Sequence, residues 1–305
     1  MSQRPQDATI LTGNEEKRIF RMASGPPGLH LNPETGLHEA HDSRRTLYAS
    51  SLGLIENFAI SSRSTVPQGY TSACRVVLTY LGAAHWQIGR SETVIDPNRT
   101  LLLQAGQEFS DRQAGINIGR ASVVMTPDPE VLEEICGSLG IKRDTVFNKI
   151  SAPATMQLRL LTHKLIGLAG QARDMLLMND ELMIAALSES LAPAAKIKGP
   201  PPPLIIERVK ALLHSLDADR LKLSDIAAQI GATPAYLTRA FQQAEGVPLY
   251  RYHRRLRLAR ALVELRYCED ITTLAFTLGF SSHSHFSAAF RAAFGLTPSE
   301  FRSLC

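Results

Sequence analysis

The sequence contains no closely spaced cysteines. Its four cysteines, Cys74, Cys136, Cys268 and Cys305, are at least 37 residues apart and form no CxxC motif. Metal-binding cysteine motifs and disulfide frameworks use clustered cysteines, so this spacing favours reduced thiols in an intracellular protein.

Long hydrophobic runs are also missing. The segment from Met1 to Phe20 is polar and mixed in charge, so it lacks the apolar core of a secretory signal. No apolar run approaches the ~18 residues that a membrane-spanning helix needs. We therefore expect a cytoplasmic protein with no membrane partner.

Motifs of the common enzyme classes are absent as well. The chain has no Gly-x-Ser-x-Gly elbow, no phosphate-binding loop and no dinucleotide fingerprint. His283 and His285 are two residues apart on a predicted helix, where their side chains point too far apart to share a metal ion. We expect no enzymatic activity, no catalytic residues, and neither a cofactor nor a metal ion.

The size and the charge distribution suggest two domains. A chain of 305 residues corresponds to roughly two domains at ~150 residues each. Residues 1–203 hold 20 basic and 20 acidic side chains, whereas residues 204–305 hold 13 and 9. The net positive charge therefore lies in the last third, where Arg251, Arg254, Arg255, Arg257 and Arg260 fall within ten residues. This density suits contact with nucleic acid, although a solvated helix face explains it equally well.

The first two thirds of the chain change in pattern twice. Residues 1–50 are rich in turn residues and predict an irregular arm. Short apolar runs broken by turn signals follow from Leu52 to Met125, which is typical of an antiparallel sandwich or barrel. The pattern then becomes helical, and the apolar faces of Thr155 to Ala169 and Asp180 to Leu191 must pack on the β structure or on a second subunit. Lys196 to Pro203 ends in four prolines and predicts a semi-rigid linker.

The last hundred residues contain an internal repeat. The segment from Ser224 to Tyr252 recurs, altered, from Thr272 to Phe301, at an offset of 48 residues that becomes 49 after Ser281. Nine matching positions indicate two copies of one supersecondary unit.

Each copy of the repeat has the pattern of two helices joined by a tight turn. In the first copy, Ser224 is suited to cap one helix and Thr233 to cap the next, with Pro234 at its first position. In the second copy, Ser281 or Ser282 is placed to cap the second helix. This arrangement predicts two helix-turn-helix units, whose second helices can enter a DNA major groove ~12 Å wide.

The segment between the copies, Leu249 to Arg266, predicts one long helix with two apolar stripes. Its stripes indicate a helix that packs on both units and holds them at a fixed separation. The arginines project between the stripes, and beside two DNA-reading helices we interpret them as phosphate contacts.

The segment from Ile271 to Arg302 resembles the signature of AraC/XylS-type transcription regulators. Matching positions are Ala275, Gly279, Phe280, Phe286, Phe290, Gly295, Thr297, Pro298, Phe301 and Arg302. The resemblance implies an all-α module over residues 204–305 in which two helix-turn-helix units, joined by a long helix, read successive major-groove segments. The order of a mainly β region followed by helices over residues 51–195 resembles the cupin-like sensor and dimerisation domain of the family. Stretches such as Asp96 to Arg99 and Ala105 to Glu108 add to that looser resemblance.

Candidate DNA contacts follow from the outward faces of the two second helices. The base-reading candidates are Ala235, Thr238, Arg239, Gln242, His283, Ser284 and Ser287. The phosphate candidates are Ser224, Thr233, Arg254, Arg255, Arg257, Ser282 and Arg291. Arg239 has the side chain that pairs bidentately with guanine, whereas Leu237, Phe241, Phe286, Phe290 and Phe294 are predicted to be core residues.

The sequence therefore predicts a sequence-specific DNA-binding regulator that responds to a small-molecule effector or a partner through its N-terminal domain. The other partners we expect are double-stranded DNA, a second copy of the chain and RNA polymerase. Candidate effector-binding residues are Tyr80, His85, Trp86 and Arg112. One alternative is a ligand-independent DNA-binding protein with an N-terminal dimerisation domain. A cupin-type enzyme is the other alternative, but His85 is the one histidine between Leu52 and Met125, so the usual metal set cannot be assembled.

Overall fold

A computed structural model describes residues 29–32, 37–40, 42–61, 66–115, 119–168, 176–197, 202–214 and 222–304. The strands in these ranges are β1 (Leu29–Asn32), β2 (Leu37–Ala40), β3 (Ser43–Ser50), β4 (Gly53–Ile60), β5 (Val66–Thr71), β6 (Arg75–Leu81), β7 (Ala84–Ile88), β8 (Ser91–Ile95), β9 (Arg99–Leu103), β10 (Gln107–Gln113), β11 (Arg120–Pro127) and β12 (Ser151–Pro153). The helices are α1 (Pro129–Ser138), α2 (Arg143–Phe147), α3 (Met156–Ile166), α4 (Leu176–Ala195), α5 (Leu204–Leu212), α6 (Leu223–Gln229), α7 (Pro234–Glu245), α8 (Leu249–Glu264), α9 (Ile271–Thr277), α10 (His283–Phe294) and α11 (Pro298–Ser303).

The strands form antiparallel sheets. A six-stranded sheet has the order β12-β9-β6-β11-β4-β3, and a four-stranded sheet has the order β5-β10-β7-β8. Strands β1 and β2 pair with each other as a separate hairpin. The prediction of a β-rich region followed by helices is confirmed, while closure into a cupin-like barrel stays a prediction.

Two apolar cores lie on either side of the six-stranded sheet. Between the two sheets, Val77 of β6, Ile95 of β8 and Leu101 of β9 are buried together. On the opposite face, side chains of β4, β6 and β11 pack with those of helices α1 to α4, including Leu165 and Leu187. The helices after the strands therefore cover the outer face of this sheet, as their apolar faces predict.

The turn between β8 and β9 presents polar groups at a defined point of this region. The Asp96 side chain accepts a hydrogen bond from the Asn98 amide at 2.8 Å, and its carbonyl accepts one from the Arg99 amide at 2.9 Å. An aspartate that binds the backbone two residues ahead stabilises such a turn. Asp96 and Arg99 are thereby fixed next to each other and buried.

The prediction of an irregular arm over residues 1–50 is wrong for residues 29–32, 37–40 and 43–50, which form strands. Strand β3 pairs with β4 from Ser43 to Ser50 and is part of the six-stranded sheet. Leu47 and Tyr48 are buried, so burial in the sheet decides the structure where the turn residues upstream had suggested a loop. Residues 1–28, 33–36 and 41 lie outside the described residues.

Helix α4 ends at Ala195 and α5 begins at Leu204, on either side of residues 196–203, whose role as a linker stays a prediction. Residues 198–201 of this connection lie outside the described residues. Among the helices described, none is both long and apolar enough to cross a membrane. Cys74, Cys136 and Cys268 are free thiols.

Candidate nucleic-acid interface

The first helix-turn-helix unit consists of α6 and α7. Ile226, Leu237, Phe241 and Tyr252 are buried in its core, where the Phe241 and Tyr252 rings meet edge to face at 5.3 Å. The hydroxyl of Thr233 accepts a hydrogen bond from the Tyr236 amide and caps α7. These contacts confirm the predicted core positions of Leu237 and Phe241.

The second unit consists of α9 and α10. Phe286, Phe290 and Phe294 follow one another along the buried face of α10, and the Phe290 and Phe294 ring centroids are 4.7 Å apart. The hydroxyl of Ser282 accepts a hydrogen bond from the His285 amide, so Ser282 caps this helix. Gly246 and Gly295 end α7 and α10 at φ 71° and 78°, a left-handed conformation that glycine adopts without strain.

We call α7 and α10 the reading helices. Six of the seven predicted base-reading residues are exposed on the outward faces of these helices. The seventh, Ser287, is half-buried. The Thr238 hydroxyl donates to the Pro234 carbonyl at 2.9 Å, so it keeps only its acceptor capacity toward DNA. His283 and Ser287 lie one turn apart, with Nε2 and Oγ 3.5 Å from each other.

Helix α8 joins the two units. Tyr252 and Leu256 pack in the core of the first unit, while Leu258 and Leu262 pack in the core of the second. Val263 belongs instead to the core of the β-rich part, that is, the described residues of 29–197. The two predicted stripes are therefore present, and α8 also contacts a third neighbour that its sequence did not predict.

The arginines of α8 differ in their surroundings. Arg254 is exposed and available to a phosphate group. Arg255 is half-buried, and burial together with the charges of Arg251 and Arg254 lowers its pKa. Arg257 donates to the Gly279 carbonyl at 2.9 Å, so this predicted phosphate contact also serves to hold the end of α9.

The capping role predicted for Ser224 is wrong. Helix α6 begins at Leu223 with Lys222 at its N-cap, and the Asp225 side chain accepts a hydrogen bond from the Lys222 amide at 3.1 Å. Ser224 lies inside the first turn, where its hydroxyl donates to Asp225. Helix α6 therefore begins two residues before the start that a Ser224 cap requires, and the Asp225 carboxylate stabilises this earlier start by binding the Lys222 amide.

Sequence reasoning missed one exposed aromatic residue on the first reading helix. Tyr236 of α7 is 54% exposed. The repeat offset of 49 residues places His285 of α10 at the matching position, and this ring is exposed too, with Nδ1 3.0 Å from the Ser281 hydroxyl. The recurrence of an exposed ring was visible in the repeat and marks a further candidate contact on each reading helix.

The structure brings together two of the four candidate effector residues. His85 and Arg112 both contact Glu92, with His85 Nδ1 at 3.5 Å and Arg112 Nη2 at 3.0 Å from Glu92 Oε1. They line a groove of about 700 Å³ between the four-stranded sheet and helix α5. Burial and the charge of Arg112 lower the pKa of His85.

The other two candidates lie elsewhere. The buried Tyr80 hydroxyl donates to Asn57 Oδ1 at 2.8 Å within the six-stranded sheet. Trp86 packs between the sheets, with its ring centroid 5.1 Å from that of Phe109. In the parts of the chain that the structure describes, no group of three or more His, Cys, Asp or Glu side chains is arranged to hold a metal ion.

Comparison with known proteins places this geometry in a family. Residues 226–303 match the family model described as "Helix-turn-helix domain". The transcriptional activator AarP of Providencia stuartii is 33% identical over 99 residues, which cover 32% of this chain and 73% of AarP. The transposon Tn10 TetD protein of Escherichia coli is 39% identical over 90 residues, 29% of this chain and 64% of TetD. The activator RhaS of Escherichia fergusonii is 37% identical over 93 residues, 30% of this chain but 34% of RhaS.

Two solved structures are also similar. Fatty-acid-bound ToxT of Vibrio cholerae covers 84% of this chain and 96% of its own, at 13% identity and a TM-score of 0.37. An AraC-type regulator from Chromobacterium violaceum is 37% identical over 27% of this chain and 75% of its own, with a TM-score of 0.26. The family model spans the chain from within α6 to α11 and includes both reading helices. The chain belongs to the AraC/XylS family of DNA-binding transcription regulators.

Proposed function

We propose that the chain recognises specific sequences in double-stranded DNA through both reading helices. One observation carries this proposal: α7 and α10 each bury an apolar face and expose a polar one at matching repeat positions. They lie at the two ends of α8, the helix that contains the arginine cluster. This arrangement suits two successive major-groove segments on one side of the duplex.

Within this interface the side chains divide into two roles. Arg239 is the strongest base-reading candidate, because its guanidinium can donate two hydrogen bonds to a guanine. The repeat places Ala288 at the equivalent position of α10, so we propose that α10 contributes less to base recognition. Arg254 and Arg291 are exposed and are proposed to contact phosphates, which position the protein without reading sequence.

We further propose that residues 51–195 form a sensor and dimerisation domain, linked through residues 196–203 to the DNA-binding domain at 204–305. The groove that His85 and Arg112 line is the best-supported place for a small-molecule effector, because it touches both parts. A ligand there regulates DNA binding only if it binds the DNA-competent arrangement with a different affinity from the alternative.

The partners follow from the relatives and from one exposed surface. AarP and RhaS are named activators, which supports activation of transcription with RNA polymerase as a protein partner. On helix α4, Leu177 and Ile184 are exposed one heptad apart, at 75% and 41%, which supports contact with a second copy of the chain. We expect this regulator to act as a homodimer.

Selection of bound duplexes from a random pool by the full chain tests the proposal. We expect an enriched site with two conserved blocks about one helical turn, ~10 base pairs, apart. A dimer would enrich this site as two copies. Recovery of random duplex without any enriched block would contradict sequence-specific recognition.

A further inference from the structure

We propose that the β-rich part positions the first reading helix through a buried polar clamp, and that Asp96 and Arg99 act as positioning residues for DNA recognition. The clamp consists of Asp96, Arg99, Glu207, Lys210, His214, Glu245 and Tyr252. Two of these side chains belong to the turn between β8 and β9, and five to the C-terminal module. The proposal rests on the proposed function, because it explains how the DNA-reading unit is held.

The first contact reaches the reading helix itself. Glu245 is the last residue of α7, and its Oε2 lies 3.2 Å from Nη1 of Arg99. Its Oε1 lies 3.3 Å from Nζ of Lys210, so the carboxylate is held by two cations. Arg99 is oriented in turn by Ser151 of β12, whose hydroxyl accepts its Nη2 at 2.7 Å. All three charged side chains are buried.

The second contact reaches the connecting helix α8. The Tyr252 hydroxyl donates to Asp96 Oδ2 at 2.8 Å, and His214 Nε2 lies 3.2 Å from the same oxygen. The Asn98 side-chain amide donates to the Tyr252 carbonyl at 3.2 Å. Although burial opposes its ionisation, the bonds to His214 and Tyr252 and the charge of Lys210 lower the pKa of Asp96.

The third contact covers the edge of the four-stranded sheet. Strand β8 is the last strand of this sheet, and the Val94 amide donates to Oε2 of Glu207. The Val94 carbonyl accepts Nζ of Lys210 at 3.3 Å, and Lys210 pairs with Glu207 at 2.7 Å. Helix α5 thus satisfies the open edge of the sheet with an ion pair, which fixes its register on β8.

The internal repeat shows that these polar residues are not required by the fold of the unit. At the offset of 49 residues, Glu245 corresponds to Phe294 and Tyr252 corresponds to Phe301. Both phenylalanines are buried in the apolar core of the second unit. At these two positions the first unit has a polar side chain where the second has an apolar one, and both polar groups contact the β-rich part. We infer that these differences serve the contact between the two parts.

The clamp orients the unit without hiding its DNA-facing surface. Glu245 holds the C-terminal end of α7, whereas Thr238, Arg239 and Gln242 stay exposed. Buried ion pairs contribute little net stability, because desolvation offsets their attraction, but their geometry is specific. Such a contact defines one position for the first unit and still separates at low cost, as a regulated contact must.

Tyr252→Phe in the full chain is the most conservative test. It removes one hydroxyl, and the equivalent Phe301 shows that a phenylalanine fits this site of the unit. Thr71→Val is the matched control, because it removes a buried hydroxyl that donates to the Ala73 carbonyl within the β-rich part. The measurement is the Kd for the selected duplex and for duplexes with base changes in the block read by α7 or in the block read by α10.

We expect Tyr252→Phe to raise the Kd about fivefold, the effect of one hydrogen bond. We also expect it to reduce discrimination against base changes in the α7 block and to leave discrimination in the α10 block unchanged. Arg99→Met should act in the same direction, although every side chain of the DNA-binding module is then intact. Thr71→Val should stay within about twofold of the wild type, since its lost bond does not join the two parts.

Each other outcome is decisive as well. If Tyr252→Phe and Arg99→Met bind with the wild-type Kd and base preference, the clamp has no positioning role. Tighter binding by either variant would show that the clamp restrains the unit, which also overturns the proposal. An equal loss of affinity for base changes in both blocks would show general destabilisation instead of positioning, which also overturns the proposal. If the wild-type chain itself selects no sequence, it is the proposed function that fails.

Discussion

Arginine residues on the two reading helices are expected to contribute to DNA binding in different ways. Arg239 is exposed on α7 beside Thr238 and Gln242, where a guanidinium can face a base edge. Arg291 is exposed in the last turn of α10 and corresponds through the repeat to Gln242. We propose that the first side chain reads sequence and that the second contacts the DNA backbone.

We predict that Arg239→Ala costs ~1–3 kcal/mol of binding to the selected duplex and relaxes base preference in one block. Arg291→Ala should weaken binding to selected and scrambled duplexes alike and lower the salt slope by about one. Fluorescence anisotropy titrations at several salt concentrations measure both effects. Identical behaviour of the two variants on the two duplexes would contradict the division of roles.

At this scale the sequence predicted the positions that an internal pattern controls. The caps Thr233 and Ser282 and the buried Leu237, Phe241, Phe286 and Phe290 follow from local rules and from the repeat. The cap predicted at Ser224 was wrong, because α6 begins two residues earlier, with the Asp225 carboxylate bound to the Lys222 amide. The four candidate effector residues do not all line one groove, because residue type alone does not specify which face of a strand a side chain occupies.

Among the elements, α3 and α11 form a contact that predicts a pH dependence of stability. The His163 ring of α3 is buried, 5.0 Å from the Phe301 ring of α11. Burial and the charge of Arg266 lower the pKa of His163 from 6.5 to about 3. The imidazole is therefore neutral in the folded protein at pH values where the unfolded chain already binds a proton.

Because the pKa of His163 is lowered in the folded state, the neutral imidazole contributes fully to the free energy of unfolding above pH 6.5. This contribution is lost as the pH falls toward 3. The loss amounts to ~1.4 kcal/mol per pH unit in this window. We predict that His163→Gln makes the thermal midpoint less sensitive to acidification from pH 7.5 to 5.5, while the exposed-site control His283→Gln keeps the wild-type sensitivity. Equal falls in all three proteins would refute this role of His163.

The elements themselves were predictable to different degrees. Helix α8 showed two apolar stripes in its sequence, and both are buried against the units that they were predicted to contact. Its third contact, through Val263, depends on the β-rich part and leaves no periodic signal of its own. Strand β3 was missed because an edge strand with Arg44 and Arg45 lacks strict alternation, and pairing with β4 supplies its stability.

For the molecule as a whole, the contact between the two parts was beyond sequence reasoning. The clamp joins two groups of residues that are more than 100 positions apart, as in the pairs Arg99–Glu245 and Asp96–Tyr252. Isolated charges are ordinary surface residues in a sequence, and only the folded chain brings their partners together. The repeat did contain a clue, because Glu245 and Tyr252 replace phenylalanines of the second copy.

We propose that one protein module places two reading helices on one side of the same duplex. Arg239 lies on α7 and His283 on α10, and the units of both helices pack on α8. A module of this kind must protect two neighbouring major-groove segments together.

Hydroxyl-radical footprinting of the full chain on its selected duplex tests this claim most directly. We predict protection of the backbone on one face of the duplex, in two stretches about one helical turn, ~10 base pairs, apart. A single protected stretch, or no protection at a protein concentration that saturates binding, would contradict it.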